Sequence, residues 1–123
     1  MPVIHVEALR QHPEVDVDAV LATVCCEVAD LLGEEPNGTW GTWRTLERYV
    51  EGADEQTKQP RDTHPPFARV VAFEGKDPET VTKLVRCVAE ALVRELRLAE
   101  GNAFVTYEEA RRGRLYTGGE VIA

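Results

Sequence analysis

Positive charge is the first shortage in this 123-residue chain: 14 lysines and arginines stand against 22 aspartates and glutamates, a formal net charge of −8. Phosphate backbones and anionic membrane surfaces bind through cationic footprints, so this balance argues against nucleic-acid and membrane partners. Long apolar runs are missing as well. None approaches the roughly 20 residues of a helical membrane span, and the first residues lack the charged and then apolar segments of a secretion signal. A cytoplasmic location is expected. Cysteine is scarce and odd in number, and Cys25, Cys26 and Cys87 show no metal-ligand spacing and fall in segments of helical pattern, which points to ordinary thiols. His5, His12 and His64 are scattered, so no metal site is expected. No glycine-rich cofactor motif occurs, and no cofactor is expected.

What the chain does contain is a repeat. Pro2 recurs as Pro66, and the same offset of 64 carries Val17, Val20, Leu21, Val24, Val28 and Leu32 onto Val81, Leu84, Val85, Val88, Leu92 and Leu96. Trp40 and Trp43 land on Phe104 and Tyr107. Self-similarity of this kind marks two copies of one supersecondary unit in tandem. Each copy alone, at roughly 60 residues, would be marginally stable, so the two are expected to share a core within a single domain spanning 1–123.

Local patterns give each copy the order strand, helix, strand. Residues 2–9 alternate, with Ile4, Val6 and Ala8 on one face and Val3, His5 and Glu7 on the other. Residues 66–73 repeat this, placing Ala68, Val70 and Ala72 opposite Phe67, Arg69, Val71 and Phe73. Asp16 precedes an apolar series of helical period that runs to Leu32, and Gly33 is its natural stop. Asp77 followed by Pro78 is a second helix start, for a helix expected from about Pro78 to Arg97. Aromatic and β-branched residues then predict strands around Thr39 to Arg48 and Ala103 to Glu109. The first βαβ unit therefore covers 2–51, a polar connector 52–65, and the second unit 66–123. Gly113, Gly118 and Gly119 mark a closing hairpin, with Glu120 to Ile122 as its last strand.

The expected fold is α/β (α+β): a tandem βαβ-βαβ repeat forming a four-stranded mixed sheet with two helices on one face. A crossover helix implies parallel pairing within each unit. The second face would carry Val3, Phe67, Val71 and Phe73, and burying each is worth about 1.5 to 3 kcal/mol. Another subunit is the available cover, which predicts an oligomer with its sheets facing inward.

The second copy, Pro66-Phe67-Ala68-Arg69-Val70-Val71-Ala72-Phe73-Glu74-Gly75-Lys76, then the helix, Glu109 and Gly118-Gly119-Glu120, resembles a protomer of the oxalocrotonate tautomerase family. The first copy is similar and more diverged. The whole chain thus resembles tautomerase-superfamily members in which two short units are fused, a group that includes the carboxymethyl-hydroxymuconate isomerases and macrophage migration inhibitory factor. That resemblance implies a homotrimer with helices outside, a small-molecule carboxylate substrate, and an amino-terminal proline, exposed by methionine removal, as the catalytic group. That group maps onto Pro2. An ordinary α-amino group has a pKa of about 7.7 to 8.0, so a modest depression leaves the nitrogen free to act as a general base in keto-enol proton transfer. Pro66, inside the chain, has an amide nitrogen and is structural.

Carbanion or enolate chemistry also needs a cation. The family's arginine after the first strand falls on Lys76 in the second copy and on His12 in the first. Its second arginine falls on Phe104 or Trp40, a departure from the pattern, and its aromatic residue near the hairpin falls on Leu115 beside Tyr116. Arg44, Arg69 and Arg114 are candidates for the missing charge. Trp40 and Trp43 are expected to pack in the core or an interface. Two alternatives remain open: a superfamily hydratase or dehalogenase using Pro2 as an acid, and a non-catalytic ferredoxin-like ligand-binding module, whose strand pairing would be antiparallel throughout.

Overall fold

The computed structural model describes residues 2–52 and 64–123, so most of the expected connector lies outside the described residues. Within the first unit, β1 (Pro2–Leu9), α1 (Val17–Leu32) and β2 (Trp40–Leu46) follow in order, and β3 (Phe67–Phe73), α2 (Pro78–Glu95) and β4 (Phe104–Ala110) repeat the series. Two short strands, β5 (Tyr116–Thr117) and β6 (Glu120–Val121), close the chain as a hairpin. The helix starts are set by side chains. Asp16 accepts from the Ala19 N–H at 3.1 Å, and Asp77 accepts from the Thr80 N–H at 2.7 Å, each filling a donor that the first turn would leave open. Gly33 ends α1 in the left-handed conformation at φ 66°. The second helix stops at Glu95, short of the Arg97 read from sequence, because Arg97 itself takes a left-handed φ of 58°.

Among the described residues the main sheet has the order β2-β1-β3-β4. Both β1-β2 and β3-β4 pair in parallel, while β1 and β3 run antiparallel down the middle. Parallel pairs inside each unit rule out the ferredoxin-like arrangement, in which every neighbour is antiparallel. The repeat is also a symmetry of the sheet. Val3 faces Trp40 and Phe67 faces Phe104, a spacing of 37 in both units, and the central cross-strand pair His5 and Arg69 is separated by 69 − 5 = 64. A pseudo-two-fold axis therefore passes between those two side chains and exchanges one unit for the other.

The alternation of each central strand divides the sheet into two chemically different faces. Ile4, Val6, Ala8, Ala68, Val70 and Ala72 are almost completely buried beneath the helices, where they meet Val24, Val28, Leu84, Val88 and Leu92. Trp43 and Tyr107, related by the offset of 64, both pack against this core. Gly41 is small for a reason: a Cβ there would come within 3.0 Å of the Cys25 Sγ and 3.4 Å of a Leu21 methyl. Gly41→Ala is accordingly expected to destabilise the fold by about 1 to 3 kcal/mol, read as a lower urea midpoint at unchanged slope.

The opposite face carries no helix. Val3, Phe67, Val71 and Phe73 are only half-buried there, and Trp40 and Phe104 are 52% and 57% exposed. Among the described residues no helix is long and apolar enough to cross a membrane.

Candidate functional site

Because β1 and β3 are antiparallel and each unit is parallel internally, chemistry collects at two ends of the sheet. Pro2 opens β1 opposite Ala72, near the end of β3, and its ring is fully buried. The turn after β3, with half-buried Lys76, and the segment leaving β4 lie at this same end. The hairpin folds back on it: the Arg112 N–H donates to Glu74 Oε1 at 2.9 Å, and the Gly113 N–H donates to the Ile122 carbonyl. Phe73, Glu74, Arg112 and Ile122 line a cavity of about 280 Å³ there. Arg114 and Tyr116 project from the hairpin into solvent, Tyr116 being 68% exposed.

The candidates named from sequence are thus divided. Lys76, Arg114 and Tyr116 belong to the Pro2 end. Arg44 does not, because it pairs with Glu7, five residues along β1 from Pro2, or roughly 17 Å at strand rise. Within one chain Arg44 cannot serve the Pro2 nitrogen. Arg69, at the middle of the open face, is likewise apart from it.

Two residues at this end escaped the sequence reading. Thr39 is 5% exposed, its hydroxyl has no hydrogen-bond partner, and the β1-β2 register, extended by one residue from Val3 and Trp40, sets it beside Pro2. A buried hydroxyl left open next to the terminal ring can hydrogen-bond the proline nitrogen. Arg112, read from sequence as a solvated turn residue, is instead held against Glu74 by the returning hairpin. Neither was visible in the chain, since both depend on register and on where the hairpin lands.

The pseudo-equivalent end is filled. Pro66 is buried and its carbonyl accepts from the Phe104 N–H at 3.0 Å. Before it, His64 is 2% exposed; its Nε2 accepts from the Leu9 N–H, and its ring stands edge-on to Tyr49 at 4.7 Å and near Phe67 at 5.9 Å. Burial lowers the His64 pKa, partly offset by the nearby Glu51 carboxylate. An unfolded His64 takes up a proton near its ordinary pKa of about 6.5, whereas the folded one resists, so the unfolded state binds more protons as pH falls. Stability is therefore fully present above about pH 6.5 and declines through the acid range toward the depressed folded value. Urea titrations of the wild type should show this slope below pH 6.5, and His64→Gln, which can still accept from Leu9, should flatten it.

The largest concavity, about 500 Å³, lies on the open face between the two ends. His5, Thr42, Arg44, Arg69 and Thr106 form its polar side, and Phe67 and Phe104 its aromatic side. Among the described residues no group of three or more His, Cys, Asp or Glu side chains is arranged to hold a metal ion. The thiols of Cys25 and Cys87 are pushed up in pKa by burial, which makes them poor nucleophiles.

No family model matches the chain. No curated protein matches it in sequence either. Solved structures do resemble it. The F6 fused 4-OT, a wild-type asymmetric trimer, superposes with a TM-score of 0.82 at 12% identity, over 97% of this chain and 94% of that one. A protein crystallised after inactivation by 2-oxo-3-pentynoate gives 0.81 at 14% identity, over 98% and 95% of the two chains. Macrophage migration inhibitory factor of Toxoplasma gondii gives 0.71 at 18% identity, over 98% and 99%. The chain has the tautomerase-superfamily fold in its fused, two-unit form.

Proposed function

We propose that this protein is a cofactor-independent tautomerase that moves a proton on a small 2-oxo or enol carboxylic acid, with the Pro2 nitrogen as general base. The observation that carries the reading is the position of Pro2: it opens a central strand with its ring fully buried, at the sheet end where the Lys76 turn and the hairpin converge. Burial disfavours the charged form of an amine, so a Pro2 freed by loss of Met1 would be largely unprotonated at neutral pH. Acting on an enol, the nitrogen takes the O–H proton as the C=O bond forms. It then returns that proton to the carbon that held the other end of the enol double bond. Thr39, through its hydroxyl, accepts from the protonated nitrogen between the two steps. Lys76 holds the substrate carboxylate as a point charge, with Arg114 and Tyr116 of the hairpin closing the mouth. Arg44 reaches a Pro2 site only if another chain presents it.

A homotrimer follows from the same reading, with the open faces turned inward so that Trp40, Phe67 and Phe104 leave water. The trimeric state of a fused 4-OT of this fold supports that arrangement.

A neighbour of this fold is inactivated by 2-oxo-3-pentynoate, which suggests a direct test. A neutral secondary amine adds to such an alkyne: the N–C bond forms, the triple bond becomes a double bond, and the proton passes to carbon. Incubation of the methionine-trimmed protein should raise its intact mass by one reagent per chain, and peptide mapping should locate the adduct on Pro2. Modification elsewhere, at a rate equal to that of a protein retaining Met1, would refute the reading.

A further inference from the structure

We infer that the cavity at the centre of the open sheet face is a second carboxylate site, centred on Arg69 and separate from Pro2, that takes a small aromatic acid. The chain as a whole is strongly acidic, yet the side chains lining this cavity carry Arg44 and Arg69 against a single acid, Glu7, a local balance of +1 with His5 neutral. Glu7 is already engaged by Arg44. Arg69 touches one acid through Nε alone, 3.4 Å from Glu108 Oε1, and among the described residues nothing else engages its guanidinium. Its two terminal nitrogens are left with the planar fork that matches a carboxylate.

The pairing across the sheet strengthens the case. His5 stands directly opposite Arg69 on the neighbouring strand, and its ring is fixed by a 2.7 Å hydrogen bond between Nδ1 and the Thr42 hydroxyl. Two basic side chains facing each other across a sheet repel whenever both are charged, and an anion between them removes that cost. One row further along, Phe67 and Phe104 meet edge to face with centroids 5.9 Å apart, forming an apolar wall beside the cationic floor. A carboxylate joined to a flat ring matches this division: the carboxylate on Arg69, the ring against the two phenylalanines.

This site is not the Pro2 site. His5 is three residues from Pro2, roughly 10 Å along the strand, and its side chain lies on the opposite face of the sheet from the proline ring. The cavity is complete within one chain, so it depends neither on the proposed proton transfer nor on assembly.

The test is calorimetric titration of benzoate, which has no keto or enol group, into protein whose Pro2 nitrogen is blocked by retained Met1. Benzoate is expected to bind at one site per chain. Arg69→Gln should weaken it by about 10- to 100-fold, the loss expected for a charge-assisted pair, with Arg69→Lys falling between. Phe104→Ala should weaken benzoate while leaving acetate unchanged. Far-UV dichroism and light scattering on each variant separate lost binding from lost structure. Absence of benzoate binding to the blocked protein overturns the inference, as does equal affinity in the wild type and a folded Arg69→Gln or Arg69→Lys protein. Failure of the Pro2 chemistry would leave this titration untouched.

Discussion

A protein whose Pro2 nitrogen is acylated by a retained methionine is expected to lose roughly 10² to 10⁴ in kcat/KM for enol-to-ketone conversion of an aryl enolpyruvate, the range that a positioned general base supplies. The comparison isolates the nitrogen. Ring, burial and strand pairing to Ala72 stay as they are, and only basicity is removed, because an amide nitrogen does not accept a proton at neutral pH. Intact mass fixes which form is present, and Pro2→Ala, compared after trimming, reports what the ring adds by holding the amine in place. A rate within twofold between blocked and trimmed protein would remove Pro2 from the chemistry. Loss confined to KM would instead assign the terminus to substrate binding.

Val71→Asp is expected to convert the assembly from three chains to one. Val71 lies on the open face of central strand β3, between Val3 and Glu108, and points away from the helices. An aspartate there adds a carboxylate beside an existing one and would place it, unpaired, against a partner's sheet. An uncompensated buried charge costs several kcal/mol at each of three contacts, enough to dissociate most interfaces. Light scattering should therefore report a monomer with undiminished far-UV dichroism, since the core on the other face is untouched. A wild-type protein that is already monomeric, or a variant that remains a trimer, would end the proposal of inward-facing sheets.

Much of the architecture was readable from local chemistry. Asp16 and Gly33 bracket the first helix, Asp77 and Pro78 start the second, and the alternation of residues 2–9 and 67–73 sorts core from open face residue by residue. The offset of 64 anticipated the pairing of equivalent units, because two copies of one unit pack most simply about a two-fold axis. The exit of the second helix was less legible. Leu96 continues the apolar period and is buried, but it is the turn at Arg97 that decides where the helix stops.

The site was legible only in part, for a physical reason. Pro2 and Lys76 are tied to strand ends, and strand ends can be counted along a chain. Arg44 looked equivalent to any other arginine until pairing with Glu7 placed it at the wrong end of β1. Thr39 is an ordinary threonine in sequence, and only burial without a partner singles it out. His64 reads as one more scattered histidine, although it plugs the end where a second terminus would otherwise lie. Such roles are properties of neighbours brought together by the fold, and no local period encodes them.

The axis between His5 and Arg69 has a consequence for how this chain can diversify. Were the two halves separate identical polypeptides, the position on the axis would meet its own copy, so histidine would face histidine or arginine would face arginine. Covalent linkage lifts that restriction and lets an imidazole confront a guanidinium. The same freedom extends outward from the axis, where Arg44 and Glu108 occupy matching places with opposite sign. Joining the halves has turned a self-complementary seam into one that can hold unlike partners, and each half can acquire a specialism without imposing it on the other.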